Sequence, residues 1–466
     1  MKKNILNIAA LVLCLGFTSC SDDELPYSEA QVTNTELRTI LEKQGIQFDE
    51  TGHMLLDDKV QNLTKLDLTG TKFTDFKALT ILPSLNELDL SDNEFGPAFD
   101  FSTLPAQITG IDLTGNEIYD YNNLIKVEIA ENGDETITNL RDLKKLYLPD
   151  EAEENTTDLV RYYRQNKDAI VNGTIDMQMA DESGKLAKYT TLRSIPDPVF
   201  AAYLKTQFSS VFEGDQIDLG KRLTKEEKLN DILINPYLGI ENFDKLENFE
   251  GIQYITTNPY WEGKKLMFVF PQAKTLPVLN VPASVELLQM TNVKTKGFDL
   301  RNAEGLAYVM LRDVTGLETI DLTGSKVWGQ RTIEDESKLM YKTTLQVVGC
   351  KNLKTILFPE AKTLRAMQID IECADALETC DLSKFSFIRS FAVGNVPASY
   401  KLTYPNLTEF PGPNPPFRGK FEFSCSEETY KLQATKDFIE KYQSLDGTLR
   451  IKHGRLQYNG NKEYYW

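Results

Sequence analysis

The chain has 466 residues, long enough for two or more domains, of which 41% are hydrophobic and 26% charged. Its formal net charge of −18 argues against nucleic acid and anionic membrane surfaces as partners, because both need basic patches. Only His53 and His453 are present, and neither Gly-x-Ser-x-Gly nor His-Glu-x-x-His occurs, so the chain reads as non-enzymatic.

In chain order, Lys2 and Lys3 precede an apolar run, residues 5–17, that is shorter than the ~20 residues a membrane-spanning helix needs. Residues 1–20 therefore read as a signal peptide. The run Phe17-Thr18-Ser19-Cys20 resembles a bacterial lipobox, with Phe17 standing where such motifs usually carry an aliphatic residue. The Ser21-Asp22-Asp23-Glu24 stretch after it resembles the export tag of Bacteroidetes surface lipoproteins. The resemblance implies lipidation at Cys20, outer-membrane localisation and surface display, with the lipid as the sole membrane contact. Without Lys2 and Lys3 the formal charge falls to −20.

Residues 21–34 read as a tether. Leu37, Ile40 and Leu41 lie at helical spacing over residues 36–43, with Thr33 or Asn34 as the cap. The pattern Leu-x-x-Leu-x-Leu then appears at Leu63, Leu66, Leu68 and at Leu85, Leu88, Leu90, and recurs as Ile108, Ile111, Leu113. Asn93 and Asn116 close the second and third copies, while Thr71 closes the first and leaves that asparagine series incomplete. Steps of 22 and 23 residues from Leu66 to Leu88 to Ile111 are the signature of a leucine-rich-repeat solenoid. Each strand is too short to bury its own apolar face, and stacking makes one continuous core. A fourth copy centres on Leu146, 35 residues after Ile111, so residues near 128–138 form an insertion.

A helix opening at residues 159–163 and the segment Gly173-Thr174-Ile175-Asp176-Met177 are echoed by residues 438–442 and Gly447-Thr448-Leu449-Arg450-Ile451. Tyr189 follows the first pair, and Tyr464 and Tyr465 follow the second. This is one closing cap used twice, which divides the chain into two tandem capped units, residues 35–192 and 196–466. The second unit pairs a first strand with a second: residues 306–311 with 317–322, 345–348 with 353–358, and 364–369 with 377–382. Looser copies pair residues 266–270 with 276–279, and 285–290 with 298–300. These L-x-x-I-x-L/F doublets, behind the Asp197-Pro198-Val199-Phe200 segment, resemble the BspA-like leucine-rich-repeat family of Bacteroidetes surface proteins. The resemblance implies adhesion or surface binding. The expected fold is α/β leaning to β, a leucine-rich-repeat solenoid in two units with helical caps.

The candidate sites are few. Asp67, Asp89 and Asp112 occupy the same outward strand position, with Tyr147 continuing the row, and would stack at ~4.8 Å. Facing like charges are unfavourable, so the row either takes a cation or basic ligand, calcium included, or is repeat consensus compensated by Lys65 and Lys145. Tyr260 and Trp261, in Asn258-Pro259-Tyr260-Trp261-Glu262-Gly263, are either a stacking platform for a sugar or a partner, or the cover of the first repeat. Trp328, in an insertion at residues 325–343, has the same two readings. Residues 404–417 are proline-rich, a surface segment or a linker. Cys350 and Cys373, 23 residues apart, read as a buried cysteine ladder, accompanied by Cys380 and Cys425. Residues 214–218 lack the alternating ligands of a calcium loop. No cofactor or metal is expected. The reading is a surface lipoprotein that binds a protein partner; glycan capture is the alternative, and a carbohydrate-active hydrolase a distant third.

Overall fold

The computed structural model describes residues 27–130, 134–295, 297–397, 401–410, 421–443, 449–453, 456–458 and 462–464. The lipobox with Cys20, the acidic stretch after it and residues 411–417 of the proline-rich segment lie outside these residues. The fold is mixed α/β with two long, largely parallel sheets, and among the described residues neither sheet closes on itself. No described helix is long and apolar enough to cross a membrane.

The expected first helix runs Thr35–Lys43, where the Asn34 side chain accepts from the Leu37 N–H and so satisfies one orphan donor of the first turn. Its apolar face, Leu37, Ile40 and Leu41, covers the start of the first core. Behind it the strands Lys65–Asp67, Glu87–Asp89, Gly110–Asp112, Lys145–Leu148 and Asp176–Ala180 pair in parallel, in that order. Their register aligns Leu66, Leu88, Ile111, Leu146 and Met177 in one inward row, each 0% exposed. The unequal steps along that row do not disturb the alignment. The extra residues before Leu146 fold out as an antiparallel hairpin, Ile125–Ile129 with Glu135–Asn139.

Where the strands end, the backbone is satisfied by side-chain amides. Asn116 Oδ1 accepts from the Asn93 and Phe95 N–H groups, and its Nδ2 donates to the Leu90 and Leu113 carbonyls. Asn93 repeats the arrangement one strand earlier, accepting from Lys72 N–H and donating to the Leu68 carbonyl. Thr71, at the first copy, also donates to the Leu68 carbonyl, so its hydroxyl takes over part of the missing amide's role.

The second core begins behind the helix Pro198–Gln207, capped by Asp197, whose carboxylate accepts from Val199 and Phe200 N–H groups. Nine parallel strands follow, from Ile232–Ile234 to Leu449–His453. Ile232, Leu266, Leu288, Val309, Leu345, Ile369, Phe391 and Phe423 form the inward row, all 0% exposed. The second strands of the expected doublets form ladders of their own, with Thr319–Asp321, Thr355–Leu357, Thr379–Asp381 and Lys401–Thr403 as the largest.

Two details differ from the sequence expectation. The strand Leu364–Glu372 is longer than the motif, and the partner of Leu345 is Ile369 rather than Leu364. Consequently Val348 pairs with Glu372, which places Cys373 beside Gly349 and leaves Cys350 level with Ala374. The cysteine ladder is therefore out of step by one residue. Cys350, Cys380 and Cys425 are buried thiols, whereas Cys373 is half-buried.

The two closing segments resemble each other in part. Helix Asp158–Val171 leads to strand Asp176–Ala180, and helix Gln433–Gln443 leads to strand Leu449–His453, each strand adding parallel to its sheet. The first then turns back into Leu186–Lys188, antiparallel to the sheet strand, whereas the second ends in a separate hairpin, Leu456–Tyr458 with Lys462–Tyr464. Gly447, Thr448 and Tyr465 lie outside the described residues.

Candidate ligand-binding surfaces

The acidic row exists as expected. Asp67 pairs with Asp89, Asp89 with Asp112, and Asp112 with Tyr147 across the first sheet. Each carboxylate nevertheless has a local task. Asp67 accepts from the Thr69 N–H, Asp89 from the Ser91 N–H and hydroxyl, and Asp112 from the Thr114 N–H and hydroxyl. These Asp-x-Ser/Thr turns stabilise the chain as it leaves each strand. Lys65 Nζ lies 3.1 Å from Asp89, and Lys145 pairs with Glu87. Burial would raise the Asp89 carboxyl, yet the Ser91 and Lys65 hydrogen bonds outweigh it and hold it below its usual range. Tyr147 donates to Asp176 at 2.7 Å, and that bond together with burial pushes its phenol up to about 12. Among the described residues no group of three or more acidic, histidine or cysteine side chains is arranged to hold a metal ion. The row is thus a set of turn-forming acids with lysine counter-charges. Likewise Gly214 lies in the turn between strands Phe212–Glu213 and Gln216–Asp218 of a hairpin, not in a calcium loop.

The tryptophans are not platforms. Trp261 is 3% exposed and its indole N–H donates to the Asn230 carbonyl at 2.8 Å. Trp328 is 0% exposed, donates to the Leu306 carbonyl and packs on Phe358 and Phe385. The insertion that carries it is not irregular but forms two short helices, Val327–Gln330 and Ile333–Lys338. Both indoles close the core, because their large apolar surface is worth more buried and their single donor has a carbonyl to meet.

Tyr260 has a different role, one that local motifs do not reveal. Its hydroxyl donates to Glu135 at 2.6 Å, and the Arg222 guanidinium lies 4.8 Å over its ring. Glu135 belongs to the hairpin of the first unit, and its side chain is 2% exposed. Arg161 (2.7 Å) and Arg164 pair with the same carboxylate, and Arg222 lies 3.8 Å from it. Burial opposes ionisation, but the bonds from Tyr260, Arg161 and Arg164 dominate and pull the carboxyl down to about 2. This node joins the two cores. Thr156 to Thr257, at 2.7 Å, and Tyr254 to Glu153, at 3.2 Å, add to the junction.

The outward face of the second sheet is the broader surface. Leu233, Met267, Gln289, Met310, Gln346 and Asp370 align in one row. Lys265, Leu287, Tyr308, Thr344, Gln368 and Ser390 align in the next. Gln346 and Gln368 both donate to Asp370, at 3.0 and 2.6 Å, which fixes their amides. A pocket of about 400 Å³ opens here, with Tyr308, Met340, Met367 and Arg389 in its lining; Met340 is 81% exposed. The sequence held the signal, since these residues alternate with the inward row, but attention to the leucines hid it.

No protein-family model matches the chain, and no curated protein matches it.

Proposed function

We propose that the chain is a non-enzymatic surface lipoprotein, two leucine-rich-repeat solenoid units anchored through Cys20, that binds a protein partner with the outward face of the second sheet. The observation that carries this reading is the pair of aligned rows through Met267, Met310 and Tyr308, all partly exposed. Methionine, tyrosine and arginine are the residue types enriched where proteins meet, and lysine and glutamate are depleted there. A sheet face held by its own hydrogen-bond ladder loses little freedom on contact, so more of the contact energy appears as affinity.

The test is a binding screen of the full chain against extracellular-matrix and envelope proteins. A partner whose binding is lost on Met310→Asp and Tyr308→Ala, and kept on Asp89→Asn, supports the reading. Retention through both face substitutions would sink it. For the anchor, fatty-acid labelling of the expressed chain should disappear on Cys20→Ala.

A further inference from the structure

Between the two cores lies a cleft of about 2120 Å³, walled by residues 97, 119–120 and 154–157 of the first unit and by segments 247–261, 275–284 and 294–302 of the second. Small-molecule sites measure roughly 300–1,000 Å³, so the space admits a segment of a polymer. Exposed apolar side chains stand on both walls: Tyr119, 39% exposed, on the first unit and Val278, 48% exposed, on the second. Pro97, Pro277 and Pro282 extend that apolar lining. The other large ring there, Trp261, is committed to the core.

The charges in the lining do not balance. Glu247 pairs with Lys274, and both Asp299 oxygens hold the Arg301 guanidinium. Asp120, Glu154 and Glu250 form no ion pair among the described residues, and Lys294 is the one lining base left to face them. The densest acidity surrounds the Tyr119 ring. Glu154, Glu151, Glu117 and Asp150 lie close enough to raise its phenol, after burial, by like-charge repulsion. None of these four forms an ion pair among the described residues, and one Glu151 oxygen is buried without a hydrogen-bond partner. Burial, with Asp150 and Glu117 beside it, raises the Glu151 carboxyl.

An exposed aromatic face among unpaired carboxylates is a receptor for a cation, which the ring quadrupole and the acids attract together. Lysine and arginine suit this cleft in a second way. Their apolar stems pack on surfaces such as Tyr119 and Val278 while the charged heads reach the acids. A free polyamine would meet the acids but leave Val278 and the prolines uncovered, whereas a polypeptide brings cations and apolar side chains together. We propose that this cleft binds a basic segment of a polypeptide, with a lysine or arginine side chain laid on Tyr119, at a site separate from the protein-binding face of the second sheet.

An array of short immobilised peptides, probed with the labelled full chain and carrying immobilised spermine beside them, tests the proposal. Peptides that alternate lysine or arginine with valine should capture the chain, whereas serine–valine peptides, glutamate–valine peptides and spermine should not. Tyr119→Ala should weaken capture about tenfold. Glu154→Gln should weaken it about threefold. Both positions are exposed, so both variants should keep the parent melting temperature. Glu36→Gln removes the same charge from an exposed position on the first helix and should leave capture unchanged. Met310→Asp should also leave it unchanged, which separates this site from the sheet face. The proposal is overturned if no basic peptide captures the chain, or if serine–valine peptides, glutamate–valine peptides or spermine capture it as tightly. It is equally overturned if Tyr119→Ala and Glu154→Gln weaken capture no more than Glu36→Gln does.

Discussion

The two sheets solve one problem in two ways. In the first, strands such as Glu87–Asp89 are three residues long, and the chain turns away at once into loops whose backbone is satisfied by Asn93 and Asn116 side chains. In the second, five of the nine strands run eight to twelve residues, and strands such as Lys265–Leu276 and Tyr308–Thr315 continue pairing beyond a sharp corner. The corner residues are Asn292, Asp313, Gly349, Cys373 and Asn395, all with positive φ between 51° and 72°. Each sits one place beyond Thr291, Arg312, Val348, Glu372 or Gly394, which share a row. Left-handed backbone serves both units, at Gly70, Asp92 and Gly115 in the first, but the first adds the buried amides of Asn93 and Asn116 behind it. The difference teaches that stacked parallel strands need a left-handed residue at each corner, and that shorter strands add a side-chain amide to hold the loop that follows.

The largest expected effect lies where the two designs meet. Glu135→Gln keeps the shape but leaves Arg161, Arg164 and Arg222 without their shared counter-charge. It should cost about 3 kcal/mol and split a single calorimetric transition into two, one for each core. The depressed Glu135 carboxyl gives a pH signature of the same node. Its contribution should be complete above its unfolded pKa of about 4.3 and be lost as pH falls through about 2. Acid titration of the parent should show this loss, and the Glu135→Gln chain should not.

Next comes Asn116→Ala, which strands the buried Asn93 N–H and two carbonyls at once and should destabilise the first core by about 2–3 kcal/mol in denaturant melts. At the Asn395 corner of the second sheet the amide donates to the Cys373 sulfur, a weak acceptor, so an alanine there should cost less. Gly349→Val tests the other design. At φ 72° an added Cβ would stand 2.4 Å from Asp313 Oδ1, so a loss of about 2 kcal/mol is expected. The smallest effect has the opposite sign. Cys373→Gly should stabilise the second core by up to about 1 kcal/mol, since a Cβ at φ 53° is unfavourable there. A neutral or destabilising result would show that the Asn395 contact to the Cys373 sulfur, at 3.6 Å, outweighs the corner strain.

What could be read from the sequence was what short-range chemistry decides. The first helix with its cap at Thr33 or Asn34, the inward leucines of the first sheet and the Asp67 row all follow from spacing within a few residues or one regular step. The Glu135 node was invisible because its partners, Arg161, Arg164, Arg222 and Tyr260, come from segments 26 to 125 positions away with no common pattern. Trp261 and Trp328 were ambiguous for a related reason. A tryptophan in a loop reads as a surface platform or a core cover, and only the tertiary contacts at Asn230 and Leu306 decide. The Cys373 register failed on a small thing, the additional residues at the start of strand Leu364–Glu372.

Along the second sheet the inward row passes from Val309 to Leu345 and on to Ile369, so neighbouring strands are separated first by 36 and then by 24 residues of chain. The longer interval contains the helices Val327–Gln330 and Ile333–Lys338, yet the strands on either side pair as closely as their neighbours. The sheet counts strands and is indifferent to how much chain lies between them. One place on this molecule is therefore a natural docking point for engineered cargo: the turn after Lys338. An epitope, fluorophore-binding peptide or small domain spliced in there would ride outside the ladder, and the outward rows would keep their spacing.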